Sequence, residues 1–245
     1  MSGNDRDRDR TVVVSPHPDD AVLSAWHVLT RQDVRDVVTV FAGIPPAGAR
    51  PSPWDRLTGC AEPAVRAAER RSEDEAALGL AGCAPVHLDF VGASHRGGRQ
   101  LDEAALREEL AAALGAAAVV WIPAGIGGHP DHLAARDAAL AATPGALRLL
   151  YADLPYAARF GWPGWVDATT PSEAGGLDVD GWLRAQLDGL GLGRARVHRL
   201  TEESLAGKRA AIGCYRSQVA ALAADAADDF PNGRTWAFEV TWEIR

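Results

Sequence analysis

The stretch "VVVSPHPDDAVLSA" (residues 12–25) decides the fold. A short apolar run ends in a turn that carries His17, Pro18 and two adjacent carboxylates, Asp19 and Asp20. Beyond the turn, apolar residues recur near helical spacing. A buried strand that leads into a helix through a polar turn is typical of doubly wound α/β sheets, which bind ligands at the carboxyl ends of their strands.

The rest of the chain repeats this alternation. Apolar runs predict strands at 11–14, 37–43, 86–90, 116–123, 147–155, 195–200 and 236–244. Helical spacing predicts helices at 20–31, 62–80, 102–114, 131–142 and 202–224, while 44–60 and 160–178 are rich in Pro, Gly or Trp and are predicted to be irregular. We therefore expect one α/β domain over 11–245, a doubly wound, mostly parallel sheet flanked by helices, after a disordered tail at 1–10.

Composition excludes several classes of protein. The 245 residues are 47% hydrophobic, which is enough for a large core, and the formal net charge of −8 argues against nucleic acid as a partner. Neither a signal peptide nor a membrane span is predicted. The three cysteines are far apart and form no CxxC pair, so we expect no disulfides and a cytoplasmic location.

A second motif has the same shape as the first. His129-Pro130-Asp131-His132 follows the predicted strand 116–123 and opens a helix. If the two turns meet at the carboxyl edge of the sheet, three imidazoles and three carboxylates share one cleft. Zn²⁺ takes His nitrogen and Asp oxygen in catalytic sites with three protein ligands, so the pair of motifs predicts a zinc site, with another divalent ion left open.

These residues resemble the PIG-L/LmbE-like family of zinc-dependent N-acetylglucosaminyl deacetylases. "SPHPDDAVLSA" is similar to the family's HPDDE motif, with Ala21 in place of the glutamate, and "GGHPDHLAARDAAL" is similar to its HPDH motif. "ERRSEDEAALGLAG" (69–82) resembles the family's Arg-x-x-Glu helix, and "KRAAIGCYRSQ" (208–218) resembles its C-terminal Lys…Tyr-x-Ser-Gln helix. The resemblance spans 11 to about 220 and implies an LmbE-like, Rossmann-like fold.

The resemblance also implies roles for single residues. His17, Asp20 and His132 look like the zinc ligands, and Asp19 looks like the general base that takes a proton from the attacking water. His129 is similar to the residue that stabilises the oxyanion or protonates the leaving amine, and Asp131 is expected to orient it.

Candidate substrate contacts lie in helices and loops. Arg71 occupies the position of the family's helix arginine, and Arg96 follows His95 in a loop where relatives carry an aromatic-Arg pair. Aromatic residues near a cleft often hold sugar rings. Further candidates by this criterion or by position are Trp54, Asp55, Arg56, Tyr156, Arg159, Phe160, Trp162, Trp165, Tyr215 and Gln218.

The expected function is hydrolysis of an N-acyl group, an acetyl group by family resemblance, from a small molecule that contains an amino sugar. The Ala-, Arg- and Gly-rich composition fits actinobacterial secondary metabolism. Alternatives are an amidase of a thiol or other non-sugar conjugate, and a non-catalytic sugar-binding member of the fold. A phosphoacceptor receiver module fits poorly because it is about half as long and needs no HxxH. The sugar, the acyl chain, the pathway and any homo-oligomer stay open.

Overall fold

The structure, a computed structural model, describes residues 10–161, 166, 177–225 and 230–245. The predicted tail lies outside the described residues except for its last member. Arg10 donates a hydrogen bond to Asp36 at 3.0 Å and another to the carbonyl of Leu114 at 3.2 Å. These two bonds tie Arg10, the residue before the first strand, to distant parts of the chain.

Seven strands and nine helices alternate along the described residues. The strands are β1 Thr11–Ser15, β2 Val34–Thr39, β3 Ala84–His87, β4 Val119–Pro123, β5 Leu147–Tyr151, β6 Arg196–Arg199 and β7 Phe238–Ile244. The helices are α1 Asp20–Ser24, α2 Trp26–Leu29, α3 Pro53–Leu57, α4 Pro63–Gly79, α5 Glu103–Leu114, α6 Pro130–Ala142, α7 Val179–Gln186, α8 Glu202–Ile212 and α9 Arg216–Asp225.

The strands form one sheet in the order β3-β2-β1-β4-β5-β7-β6. Neighbours from β3 to β5 are parallel, whereas β7 is antiparallel to both β5 and β6. Every residue of β1 is buried, as its unbroken apolar run predicts. The predicted mostly parallel α/β sheet is confirmed.

The strand order places the two motifs side by side. The chain winds outward from β1 to β3 and then returns to β4 on the other side of β1, so the order reverses between β1 and β4. A reversal of this kind opens a crevice at the carboxyl ends of the two strands. The turn after β1 carries His17 and the turn after β4 carries His129, so both motifs flank this crevice.

Two predicted helices are broken. The helix predicted at 20–31 divides at Ala25, whose φ is −139°, because the backbone N–H groups of Trp26 and His27 donate to the carboxylate of Glu239 instead of continuing α1. The helix predicted at 202–224 divides after Gly213, and Ser217, in the second piece, binds Glu73 of α4.

Two helices were not predicted. Within the predicted loop 44–60, Ser52 and Asp55 form a capping box and Pro53 occupies the first helical position, which is enough to start α3. Helix α7 begins at the edge of the predicted irregular region, where Asp178 accepts from the backbone N–H of Gly181. The remaining predicted elements are present with ends shifted by a few residues.

No helix in the described part of the chain is long and apolar enough to cross a membrane. Cys60, Cys83 and Cys214 are free thiols.

Candidate active site

The turn after β1 is shaped by Ser15. Its hydroxyl donates to the carbonyl of His17 at 2.7 Å and accepts from the backbone N–H of Ala21 at 3.1 Å. These two bonds close the turn and leave Ser15 buried, so Ser15 has a structural role. The closed turn presents His17, Asp19 and Asp20 to the crevice.

Asp20 joins the two motifs. Its Oδ2 lies 3.1 Å from Nδ1 of His17 and 3.2 Å from Nε2 of His132, which belongs to the second motif. The ligand atoms of the three residues all lie within 4.8 Å of one another. The three side chains assigned to the metal by resemblance are therefore brought together across the β1–β4 crevice.

In each of the two histidines, the ring nitrogen that does not face Asp20 contacts a second carboxylate. Nε2 of His17 lies 3.0 Å from Oδ2 of Asp131, and Nδ1 of His132 lies 2.6 Å from Oδ1 of Asp153. Metal-binding histidines commonly use their other nitrogen in this way, which fixes the ring and its tautomer. Sequence reasoning missed Asp153, although its position just after β5, at the same sheet edge, is a signal that could have found it.

These residues fit a divalent metal ion. His132 is fully buried, and its Nε2 has no hydrogen bond of acceptable geometry although it faces Asp20. Two imidazoles and one carboxylate form a donor set that suits Zn²⁺. His17, His129 and Asp131 form a second close group, but both Asp131 oxygens already accept from the backbone N–H of Ala93 and one accepts from Arg96.

The charges of the site favour a cation between its carboxylates. Burial lowers the pKa of His132, but Asp20 and Asp153 outweigh burial and raise that pKa to about 10. Burial raises the pKa of Asp20, but His132 and His17 outweigh it and hold the pKa well below its usual range. A divalent cation bound between these carboxylates would likewise stabilise their charged forms.

Asp19 is a buried carboxylate at the edge of the cavity. Burial, reinforced by the nearby charge of Asp20, raises its pKa to about 7 against the opposing effects of Arg70 and His17. Nη2 of Arg70 donates to Oδ2 of Asp19 at 3.1 Å and to the carbonyl of Pro18 at 2.7 Å. A carboxylate that titrates near neutral pH suits general base chemistry.

His129 is a neutral imidazole of defined tautomer. Its Nδ1 accepts from the backbone N–H of Asp131 at 3.2 Å, which caps α6 and leaves the proton on Nε2. Burial and the neighbouring His17 and His132 lower its pKa to about 4. The Asp131 carboxylate, expected to orient His129, is hydrogen-bonded to His17 instead. Asp131 contacts His129 only through the backbone N–H named above, among the described hydrogen bonds.

A cavity of about 520 Å³ opens over these residues. Its lining includes Trp54, Arg70 and Tyr156, but neither Arg71 nor Arg96. Arg71 donates to the carbonyl of Ala42 and to Asp89, and Arg96 donates to Asp131 at 2.8 Å. The resemblance assigned the helix position to Arg71, whereas the structure turns its neighbour Arg70 toward the site.

Other candidates from the sequence have structural partners. Tyr215 donates to Asp74 at 2.7 Å, and Gln218 accepts from Nε1 of Trp54 at 2.6 Å. Arg56, an exposed side chain, donates to the carbonyl of Pro51. Arg159 lies over the ring of Phe160. Trp162 and Trp165 lie outside the described residues.

The chain matches a known protein family. The family profile described as PIG-L, GlcNAc-PI de-N-acetylase, matches residues 12–143, which is more than half of the chain. The 2'-N-acetylparomamine deacetylase of Streptomyces fradiae is 36% identical over 174 residues, which cover 62% of this chain and 59% of that enzyme. The match thus spans less than two thirds of the relative's length.

Two solved structures share the fold over nearly the whole chain. A deacetylase triple mutant from the teicoplanin biosynthetic pathway is 29% identical with a TM-score of 0.75, covering 96% of this chain and 98% of that one. The A40926 pseudoaglycone deacetylase Dbv21 is 30% identical with a TM-score of 0.73, covering 98% of both chains.

Proposed function

Because the chain belongs to the GlcNAc-PI de-N-acetylase family, we propose that it is a metal-dependent N-deacetylase acting on an amino-sugar-containing small molecule. One observation carries this proposal. The carboxylate of Asp20 lies between His17 and His132, next to a buried Asp19 and beneath an open cavity. The three relatives described above are deacetylases, which supports the same reaction.

We assign the metal to His17, Asp20 and His132, with Asp131 and Asp153 fixing the two imidazoles. Zn²⁺ fits this donor set, as do other divalent ions that accept nitrogen and oxygen ligands. When bound, the ion would polarise the amide carbonyl and make the attacking water more acidic.

The chain's own residues then move the protons. Asp19 accepts a proton from the water as the oxygen of the water forms a bond to the amide carbon. His129, whose Nε2 carries the proton, donates a hydrogen bond to the oxyanion. Asp19 returns its proton to the amide nitrogen as the C–N bond breaks, so the products are a free amine and acetic acid, which ionises to acetate at neutral pH.

The setting we propose is cytoplasmic secondary metabolism of an actinobacterium. The three free thiols fit a reducing compartment. The relative from Streptomyces fradiae supports such a source, and the substrate is small because the cavity lies within the range of about 300–1,000 Å³ that is usual for small-molecule sites.

Acetate release from a panel of N-acetylated amino-sugar glycosides tests this function, with the metal content of the same protein measured after loading with Zn²⁺, Co²⁺, Mn²⁺ or Fe²⁺. We expect His132→Ala to lose both metal and turnover. Asp19→Asn should keep the metal and lose about 10²-fold or more in kcat, since it removes the general base. His198→Ala, a histidine outside the site, is the control.

A metal-loaded wild-type protein that leaves every N-acetyl amino sugar intact would contradict the proposed function. Turnover of a non-sugar amide in its place would favour the amidase alternative.

A further inference from the structure

The cavity has two chemically different parts. One part is lined by the polar residues of the site, His17, Asp19, Asp20 and His129. The other is formed by α3, the first half of α4 and α9. The side chains that give this second part its character, here called the apolar chamber, are Pro53, Trp54, Leu57, Pro63, Ala67 and Leu222.

The polar groups beside the apolar chamber are already engaged within the protein. Nε1 of Trp54 donates to Gln218, so what its ring offers a ligand is apolar surface. Arg66 donates to Glu69 and to the carbonyls of Thr58 and Ser217. A polar ligand would have to displace these bonds, whereas an apolar ligand would leave them intact.

The acidic residues of the lining are also paired. Each of the four lining carboxylates in the described part of the chain has a basic side chain close by. The pairs are Asp19 with Arg70 at 3.1 Å, Asp20 with His132 at 3.2 Å, Asp55 with His95 at 2.6 Å and Asp131 with Arg96 at 2.8 Å. Despite a formal net charge of −8, the lining residues that the structure describes therefore offer no unpaired carboxylate to a cationic group of a substrate.

The chamber reaches the protein surface at Leu57, which lines it and is 55% exposed. A single exposed leucine is ordinary, but this one belongs to a concave surface lined by apolar side chains, which is typical of a binding site for an apolar group.

We infer that the substrate of this enzyme carries an apolar group beside its N-acetylated sugar and that the apolar chamber binds this group. The inference rests on the proposed function and narrows its substrate class. It disfavours amino sugars whose attached group is charged and positive. The apolar group that the chamber binds belongs either to the aglycone or to the acyl chain of the substrate.

Two substrate series tell these sources apart. In the first, the N-acetylglucosamine carries a methyl, phenyl or naphthyl aglycone, with aminoethyl as the cationic member. In the second, the methyl glycoside carries an acetyl, butanoyl or hexanoyl group on nitrogen. Each methylene that becomes buried should raise kcat/KM by about fourfold, and an aryl aglycone should exceed methyl by about tenfold or more. The aminoethyl glycoside should gain nothing over methyl.

Leu57→Ser and Leu80→Ser form a matched pair of variants. The two leucines are 55% and 57% exposed, and Leu80, at the end of α4, does not line the cavity. Leu57→Ser should lower the ratio of kcat/KM between the apolar and methyl substrates by about three- to tenfold, because it removes apolar contact from the chamber. A general structural defect would lower both rate constants together, and Leu80→Ser should change neither.

Two results would overturn the inference if the methyl glycoside is still deacetylated. One is a kcat/KM that does not change across either series, and the other is a ratio of kcat/KM between apolar and methyl substrates that is the same in Leu57→Ser as in wild type. A gain for the aminoethyl glycoside would overturn it as well. If no glycoside is deacetylated, the proposed function fails instead. Titration calorimetry of aryl and methyl glycosides then still tests the chamber, since equal affinities would refute it.

Discussion

Asp19 adopts a backbone conformation that few side chains tolerate. Its φ of 103° is the single positive value at a non-glycine position among the described residues. Such a conformation costs on the order of 1–3 kcal/mol and persists only where neighbours enforce it. Arg70 contacts both the Asp19 carboxylate and the preceding carbonyl, so it is the neighbour best placed to do so.

We predict that Arg70→Gln lowers kcat for deacetylation by about 10- to 100-fold, because the base loses the group that positions it. KM should change less than kcat. Steady-state kinetics on the methyl glycoside of N-acetylglucosamine measures both constants.

Arg71→Gln is the matched control. Arg71 is its neighbour on α4, and the side chains are similarly exposed, at 24% and 21%. A kcat for Arg70→Gln equal to that of Arg71→Gln would show that Asp19 holds its position without Arg70.

At the scale of elements, one buried carboxylate connects three parts of the fold. Glu239 of β7 accepts from Nζ of Lys208 in α8 at 2.7 Å, and it accepts the first backbone N–H groups of α2. Lys208 and Glu239 are both fully buried, and His27 also contacts the carboxylate. Burial raises the pKa of Glu239, but Lys208 and His27 outweigh it and bring the pKa down to about 2.

The pair predicts a particular dependence of stability on pH. A carboxylate whose pKa is lower in the folded than in the unfolded state stabilises the fold fully above its unfolded pKa. For Glu239 that contribution should be lost as the pH falls from about 4.5 toward 2. Glu239→Gln should flatten this part of the curve and destabilise the protein at pH 7 by about 3–5 kcal/mol, since Lys208 is left buried and unpaired.

Urea unfolding at a series of pH values measures the effect. Glu243→Gln, on the same strand but partly exposed, should leave the curve near that of wild type. Equal slopes for wild type and Glu239→Gln between pH 4.5 and 3 would contradict the assignment.

At the scale of the whole molecule, the proposed metal site joins two halves of the sheet. His17 and Asp20 follow β1, His132 lies in α6 after β4, and Asp153 follows β5. An ion bound there would link these segments in the folded state only, since the unfolded chain holds them far apart.

Addition of Zn²⁺ to the metal-free protein should therefore raise Tm. A free concentration 100 times Kd stabilises by about 2.7 kcal/mol, which corresponds to about 5–10 °C in a chain of this size. Asp153→Asn should weaken metal binding by about 10- to 100-fold, because His132 loses the partner that orients it. Thermal scans at increasing Zn²⁺ should show a given Tm shift for this variant at a free Zn²⁺ concentration about 10- to 100-fold higher than for the wild type.

Asp137→Asn, an exposed aspartate of α6, serves as the control. If the Tm of the wild-type protein does not change when Zn²⁺ is added, the result would contradict the proposed metal site itself.

The sequence by itself determined the fold class and the centre of the candidate site. Alternating apolar runs indicated strands and helices, and the two motifs His17–Asp20 and His129–His132 indicated which strand ends carry chemistry. This information is local, since a strand, its turn and the following helix are contiguous in the chain. Because the carboxyl ends of parallel strands lie at one edge of the sheet, turns that are far apart in sequence can then be expected to meet.

Only the tertiary structure decided which neighbours serve the site. A shift of one residue on a helix turns a side chain by about 100°, so Arg70 rather than Arg71 reaches Asp19. The carboxylate of Asp131 contacts His17 instead of His129, and the carboxylate of Asp153 contacts His132. Glu239 ends the first helix at Ala25. Each of these contacts joins groups far apart in the sequence, or chooses between adjacent ones, and only the packing of elements against one another sets such distances.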